Sequence, residues 1–145
     1  MCADSTVNNR TLDLPGDKPD TAIFADVCVG VVNGNQVQAR TTLYWHLLAD
    51  QVVDRSKRFS SVRVTTRAEK RSTNGTDSIV TSKTCDFTDQ LNQAWANSTA
   101  LTCQSPATAF GSTGSWSADA TVIYDIEGDG KGAITWQLTG SPLIP

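Results

Sequence analysis

The chain has 145 residues, of which 39% are hydrophobic and 19% charged, and its formal net charge is −3. This length suits one domain with a buried core, and the absence of a long apolar run excludes a transmembrane helix. A net negative charge disfavours binding to polyanions, so we expect neither nucleic acid nor a membrane among the partners.

Residues 1–20 are polar and contain prolines, which predicts an irregular arm ahead of a single domain over 21–145. From Thr21 apolar residues alternate with others, as they do in a half-buried strand. The pair Asn33-Gly34 then marks a β-hairpin, after which the alternation resumes.

The register of this hairpin follows from its two faces. A two-residue loop would set apolar side chains against polar ones, because a slip of one residue turns every side chain to the other face. We therefore predict a three-residue loop over 32–34, which pairs Val29 with Val37 and Val27 with Ala39.

Three later segments also have strand patterns. Val62, Val64 and Thr66 alternate with outward Arg63 and Arg67, and a further strand is predicted over 79–87. Residues 88–97 form either a short helix or a loop. The last hairpin turns at EGDGKG, and we predict that it pairs Tyr124 with Trp136. Strands at this spacing indicate an all-β antiparallel β-sandwich, immunoglobulin-like in architecture but without the immunoglobulin tyrosine motif.

The four cysteines indicate an oxidising compartment, because their number is even and no CxxC pair points to zinc or to a redox dithiol. We expect an extracellular protein in which Met1 replaces a removed leader. Of the three possible connectivities we favour Cys85–Cys103, which closes a short loop, and Cys2–Cys28, which ties the N terminus to the first strand. In the alternative, Cys2 is the lipid-bearing first residue of a lipoprotein.

Basic residues concentrate between positions 55 and 71, whereas acidic residues lie mainly near the two ends of the chain. Arginines that point the same way from one strand would form a basic stripe able to meet an acidic partner surface or an anionic polymer. Trp95 is the tryptophan that we expect to be exposed, whereas Trp45, Trp116 and Trp136 fall on apolar faces. The predicted partner-binding residues are Arg58, Arg63, Arg67, Arg71 and Trp95.

Catalytic or metal chemistry finds little support in the residue pattern. The sole histidine, His46, falls on the outer face of a strand, and no GxSxG motif accompanies it. Asp125, Glu127 and Asp129 match the opening of a calcium loop, but position 12 of that loop is Trp136 instead of a bidentate glutamate. We expect a plain turn there, a protein without a cofactor, and no enzymatic activity.

The runs VIYDIEGDGKGAITWQLTGSPL, RFSSVRVTT and SKTCDFT resemble segments of small secreted proteins of actinomycete bacteria. Among these, the chain is similar in style to the adaptor subunit of the umbrella-shaped toxin particles of streptomycetes. That resemblance implies a non-enzymatic β protein that joins a toxin-bearing protein to a lectin-like one.

Three functional hypotheses result. The first is a secreted binding or adaptor module that uses the basic stripe, with the N-terminal arm adding a strand to a partner sheet. The second is an inhibitor of a secreted hydrolase that acts through the loop 86–102, which a disulfide would hold rigid. The third is a carbohydrate- or calcium-dependent lectin built on the last hairpin.

Overall fold

A computed structural model describes residues 1–49, 51–93, 95 and 100–145. In chain order the elements are β1 (Cys2–Ala3), β2 (Asn9–Leu12), β3 (Thr21–Val32), β4 (Gln36–Leu47), β5 (Phe59–Arg71), β6 (Asp77–Asp86), α1 (Thr88–Gln93), β7 (Leu101–Gln104), β8 (Thr108–Ala109), β9 (Ser115–Ile126) and β10 (Ala133–Gln137). Within these residues no helix has the length and apolar character needed to cross a membrane.

The strands form two antiparallel sheets, which confirms the predicted β-sandwich. In the first sheet the order is β1-β3-β4-β7, with β2 also paired to β3 and β8 to β4; in the second it is β10-β9-β5-β6. Strands β3, β4, β5 and β9 alternate buried and exposed side chains, so each sheet turns one apolar face inward. As predicted, Trp45, Trp116 and Trp136 lie in this core.

Both predicted disulfides are present. Cys2–Cys28 joins β1 to its neighbour β3 within the first sheet. Cys85–Cys103 joins β6 of the second sheet to β7 of the first. The second bond therefore holds the two layers together, whereas the first fastens the start of the chain.

The register of both hairpins differs from the prediction by two residues. Val29 pairs with Ala39, so the three-residue loop covers 33–35 instead of 32–34. In the last hairpin Tyr124 pairs with Ile134. A shift of two leaves every side chain on its predicted face, so the alternation that guided the prediction does not distinguish the two registers.

The N-terminal residues differ from the predicted irregular arm. Both β1 and β2 pair with β3 and extend the first sheet at that edge. Leu12 and Leu14 are buried in the core, and the buried Asn8 side chain donates to the carbonyl of Thr139 at 3.0 Å. Because these strands are paired within the chain, they are not available to add a strand to a partner sheet.

Strand β6 has an unusual position in the second sheet. It is an edge strand, and each of its ten side chains is exposed or half-buried. Ile79 is 59% and Val80 43% exposed. Opposite this pair, a β-bulge shifts the register with β5 between Ala68 and Glu69. The strand therefore leaves an adjacent apolar pair on the surface of the second sheet.

Candidate functional site

The predicted basic stripe lies on the outer face of β5, where it meets acidic residues of the neighbouring strands. Arg63, Arg67 and Arg71 share this face, as their even spacing predicts. Each has an aspartate within 4 Å on an adjacent strand: the N–O distances are 3.9 Å for Arg63–Asp86, 3.2 Å for Arg67–Asp119 and 2.8 Å for Arg71–Asp77. The stripe is therefore a row of cross-strand ion pairs, which attracts an acidic surface less than free cations would.

Arg67 is the most enclosed member of this row, with 15% of its side chain exposed. Its Nη2 donates to Asp119 at 3.2 Å and to the hydroxyl of Thr121 at 2.7 Å. Glu69 lies 3.9 Å from its Nε, and the pKa of Glu69 is raised by its own burial and then by the nearby Asp119. These contacts make Arg67 a structural centre of the outer face.

Arg58 is buried, so its predicted place on the partner-binding surface is wrong. Its guanidinium donates to the hydroxyl of Thr21 at 3.1 Å and to the carbonyl of Leu91, and lies 4.9 Å from the ring centre of Trp95. Burial lowers the pKa of Arg58 to about 10. The side chain joins the beginnings of β3 and β5 to α1, an arrangement that sequence neighbours alone do not indicate.

The first part of the loop 86–102 is the short helix α1, packed on β5. Leu91 is fully buried. The side chain of Asn92 accepts from the N–H groups of Arg58 (3.0 Å) and Phe59 (2.9 Å) and donates to the carbonyl of Phe59 at 2.8 Å. Trp95 is half-buried, with Arg55 and Arg58 against its ring. Residues 94 and 96–99 of this loop lie outside the described residues.

A polar cleft of about 720 Å³ opens between α1, the start of β5 and the end of β6. Its volume falls in the range of small-ligand sites, but its walls lack the apolar and aromatic groups that such sites ordinarily present. It contains Arg63 together with the exposed residues of α1. The lining residues are Lys57, Ser60, Ser61, Arg63, Asp86, Thr88, Asp89, Gln90 and Gln93.

The three carboxylates of the possible calcium loop have separate environments. Asp125 lies within β9, and Asp129 accepts from the N–H of Lys131 at 3.0 Å inside the turn. Glu127 accepts from the hydroxyl of Ser60, which together with the charge of Lys57 lowers the pKa of Glu127. In the part of the chain that the structure describes, no cluster of three or more acidic, histidine or cysteine side chains is arranged to hold a metal ion.

His46 is exposed on the outer face of the first sheet, as predicted, opposite Ala22. On the same face the hydroxyl of Tyr44 donates to the carboxylate of Asp26. That hydrogen bond, followed by burial and the charge of Asp26, raises the pKa of Tyr44 to about 12. The phenol of Tyr44 therefore donates to Asp26 over a wider range of alkaline pH than an unperturbed tyrosine would.

The sequence analysis did not identify Ile79 and Val80 as exposed apolar residues, although the sequence of their strand indicates them. Strand β6 reads DSIVTSKTCD, in which two apolar residues stand side by side where an alternating strand would separate them. Comparison of the sequence with models of protein families and with curated proteins found no match. The functional conclusion therefore depends on the geometry of the molecule.

Proposed function

We propose that this chain is a secreted, non-enzymatic binding module that joins a protein partner in an extracellular assembly, and that the partner docks on β6. One observation carries the proposal: β6 is a ten-residue edge strand that buries none of its side chains. Near its start stand Ile79 and Val80, whose exposed fractions of 59% and 43% leave an adjacent apolar pair in contact with solvent.

The physical argument concerns the free edge of a sheet. An edge strand offers unpaired backbone N–H and C=O groups, and apolar side chains on it make it a template for another strand. In the first sheet, β1 and β2 cover the edge of β3, and β7 and β8 cover that of β4. Strand β6 has no such covering strand among the described elements of its sheet.

The ends of β6 are held in place, which favours binding. Asp86 lies 3.9 Å from Arg63, and Asp77 receives two hydrogen bonds from Arg71, at 2.8 and 3.0 Å. The disulfide of Cys85 fastens the strand to the first sheet. A strand that is already ordered loses less conformational entropy when a partner pairs with it.

The adaptor role agrees with the resemblance to small secreted actinomycete proteins. The two disulfides support an oxidising location, since such bonds are reduced in the cytosol. An adaptor acts through contacts, and a partner strand on β6 would bring its own sheet into line with the second sheet of this chain. The partner in such a complex would be another secreted protein.

Affinity capture from the native extracellular medium, followed by mass spectrometry, tests the proposal. We expect the wild-type protein to retain a partner in stoichiometric amount, and the double variant Ile79→Lys/Val80→Lys to retain roughly tenfold less or none, because two charges would enter the apolar contact. The matched control is Val53→Lys, since Val53 is 74% exposed but distant in sequence from β6.

Two results would overturn it: isolation of the wild-type domain alone, or equal capture by the double variant. Near-ultraviolet circular dichroism of each variant shows whether its fold is intact. Because both replaced side chains are exposed, we expect the wild-type spectrum.

The second candidate is inhibition of a secreted hydrolase through the loop 86–102. The observation in its favour is the anchoring of this loop at both ends by Cys85–Cys103 and within α1 by Asn92, which limits the entropy lost on binding. A panel of secreted proteases separates the candidates. An inhibitor would lose potency in the variant Asp89→Ala/Gln93→Ala and keep it in Ile79→Lys/Val80→Lys.

A further inference from the structure

Gly30 is a glycine that the fold itself does not require. Of the ten glycines in the chain, eight have a positive φ, a conformation that other residues adopt only with strain. Gly140 has no positive φ, but a Cβ there would lie 2.8 Å from the carbonyl oxygen of Ala118. A Cβ on Gly30 would meet nothing within 4 Å, and its φ is not positive.

The pairing around Gly30 is regular as well. It faces Gln38 in a register that continues without a shift from Thr21–Leu47 to Val32–Gln36, so Gly30 does not mark a β-bulge. A glycine inside a strand weakens it, because its backbone loses more freedom on folding than that of any other residue. Glycines in such positions are often found where a ligand or another backbone approaches closely.

A groove of about 350 Å³ passes over Gly30 on the outer face of the first sheet. The disulfide-bonded Cys2 and Cys28 form part of its lining, and Gln38 and Gln104 line it too. Val31 also borders the groove, but it is paired with the buried Val37, so its side chain belongs to the opposite face of the strand. Because glycine has no side chain, position 30 leaves room in the groove that any other residue would fill.

Arg40 lines the same groove, directly opposite Cys28 in the strand pairing. Among the described residues it is the one arginine that makes no hydrogen bond, ion pair or ring contact. Each of the other six arginines makes at least one such contact; they are Arg10, Arg55, Arg58, Arg63, Arg67 and Arg71. The charge of Arg40 acts on Tyr44 of the same strand, where it opposes the rise in the pKa of that residue. Its donors nevertheless make no hydrogen bond within the described residues, and beside an open backbone their fork arrangement fits a carboxylate.

We propose that this groove binds an acidic side chain of a protein partner, whose carboxylate pairs with Arg40 while the partner's backbone lies against Gly30. Charge complementarity selects the acidic residue. A protein segment is the ligand because contact with the strand at Gly30 calls for a backbone in close approach. The groove lies on the first sheet and β6 on the second, so the two binding surfaces are separate.

Selection of short random peptides displayed on phage tests this site. The immobilised wild-type protein is the target, and the Arg40→Gln variant serves for counter-selection. We expect enriched peptides to share an aspartate or glutamate. A synthetic copy should bind Arg40→Gln roughly tenfold or more weakly than wild type, as expected for loss of a charged hydrogen bond.

The Gly30→Val variant supplies the sharper readout. Its melting temperature should equal or exceed that of the wild type, because the strand gains a residue with better strand propensity. The same peptide should bind it roughly tenfold or more weakly, because the added side chain occupies the groove. Gly30→Ala provides a smaller change at the same position.

The matched control is Arg63→Gln, an exposed arginine on the other sheet, which should bind the peptide like wild type. Three outcomes would each overturn the proposal. These are the absence of peptides that depend on Arg40, equal binding after replacement of the acidic residue by its amide, and unchanged binding to Gly30→Val. Because Ile79→Lys/Val80→Lys leaves this groove intact, a failure at β6 does not affect the result.

Discussion

At the scale of single residues, the contacts around each arginine decide its role. Arg58 is fully buried, and its guanidinium is held by the hydroxyl of Thr21, the carbonyl of Leu91 and the ring of Trp95. Burying a charge is expensive unless hydrogen bonds replace those to water. Arg63, on the same strand, has 58% of its side chain exposed and one loose ion pair at 3.9 Å.

Replacement of these two arginines should have unequal effects on stability. We expect Arg58→Ala to lower the free energy of unfolding by about 2–4 kcal/mol, because it removes packing and leaves buried oxygen atoms without their donor. Arg63→Ala should change it by no more than about 0.5 kcal/mol, as exposed ion pairs contribute little. Urea denaturation followed by tryptophan fluorescence measures both values. Equal losses would mean that Arg58 is not the buried contact described above.

At the scale of elements, β6 depends on its neighbours more than the other long strands do. It buries no side chain, so backbone pairing with β5, the bond Cys85–Cys103 and polar contacts attach it to the molecule. Among these contacts are the ion pair Arg71–Asp77 and the hydrogen bond from the Thr81 hydroxyl to the carbonyl of Pro106 at 2.9 Å. Elements with few buried contacts are the first to open in native-state hydrogen exchange. Its exposure thus favours docking of a partner and also reduces local stability.

Removal of the bond between the sheets should therefore affect β6 in particular. We expect Cys85→Ala/Cys103→Ala to lower the free energy of unfolding by about 3 kcal/mol and to accelerate amide exchange across 77–86. The control Cys2→Ala/Cys28→Ala should lower global stability by a comparable amount without faster exchange in β6, since that bond lies in the first sheet. Hydrogen exchange with mass spectrometry provides the comparison, and equal exchange in the two variants would contradict this account.

At the scale of the whole molecule, the N-terminal residues belong to the sandwich. They pair with β3 and place Leu12 and Leu14, each 4% exposed, in the common core. The opposite faces of the sandwich then carry different surfaces: the groove of Arg40 on the first sheet, and the row of ion pairs leading to β6 on the second. Because the two proposed binding surfaces are separate, we expect that one molecule of this chain connects two partners.

One substitution tests whether residues 1–20 are a free arm or part of the folded sandwich. We expect Leu12→Ala to lower the free energy of unfolding by about 2–4 kcal/mol, the usual loss for a buried leucine. Val7→Ala, in the same segment but at a side chain that is 58% exposed, should change it by no more than about 0.5 kcal/mol. Thermal or urea unfolding gives the result. A negligible loss for Leu12→Ala would restore the interpretation of residues 1–20 as an independent arm.

The amino-acid sequence by itself determined the class of the fold, the inward faces of the main strands and the two disulfides. Alternation with period two assigns each side chain to a face, and Val62, Val64 and Thr66 are buried as predicted while Arg63 stays outside. The same alternation is unchanged by a shift of two residues. The registers of both hairpins were therefore decided by the loops in the folded chain.

Only the tertiary structure decided what the charged and apolar surface residues contact. The acids that neutralise the outer face of β5 come from both neighbouring strands, and one of them, Asp119, is distant from Arg67 in the sequence. Equally, the groove at Gly30 exists because β1 and β7 bring Cys2 and Gln104 to the same face. The alternation of residues along a strand indicates the face to which each side chain points. The residues that a side chain contacts across the sheet depend on strand order and register, which only the folded chain establishes.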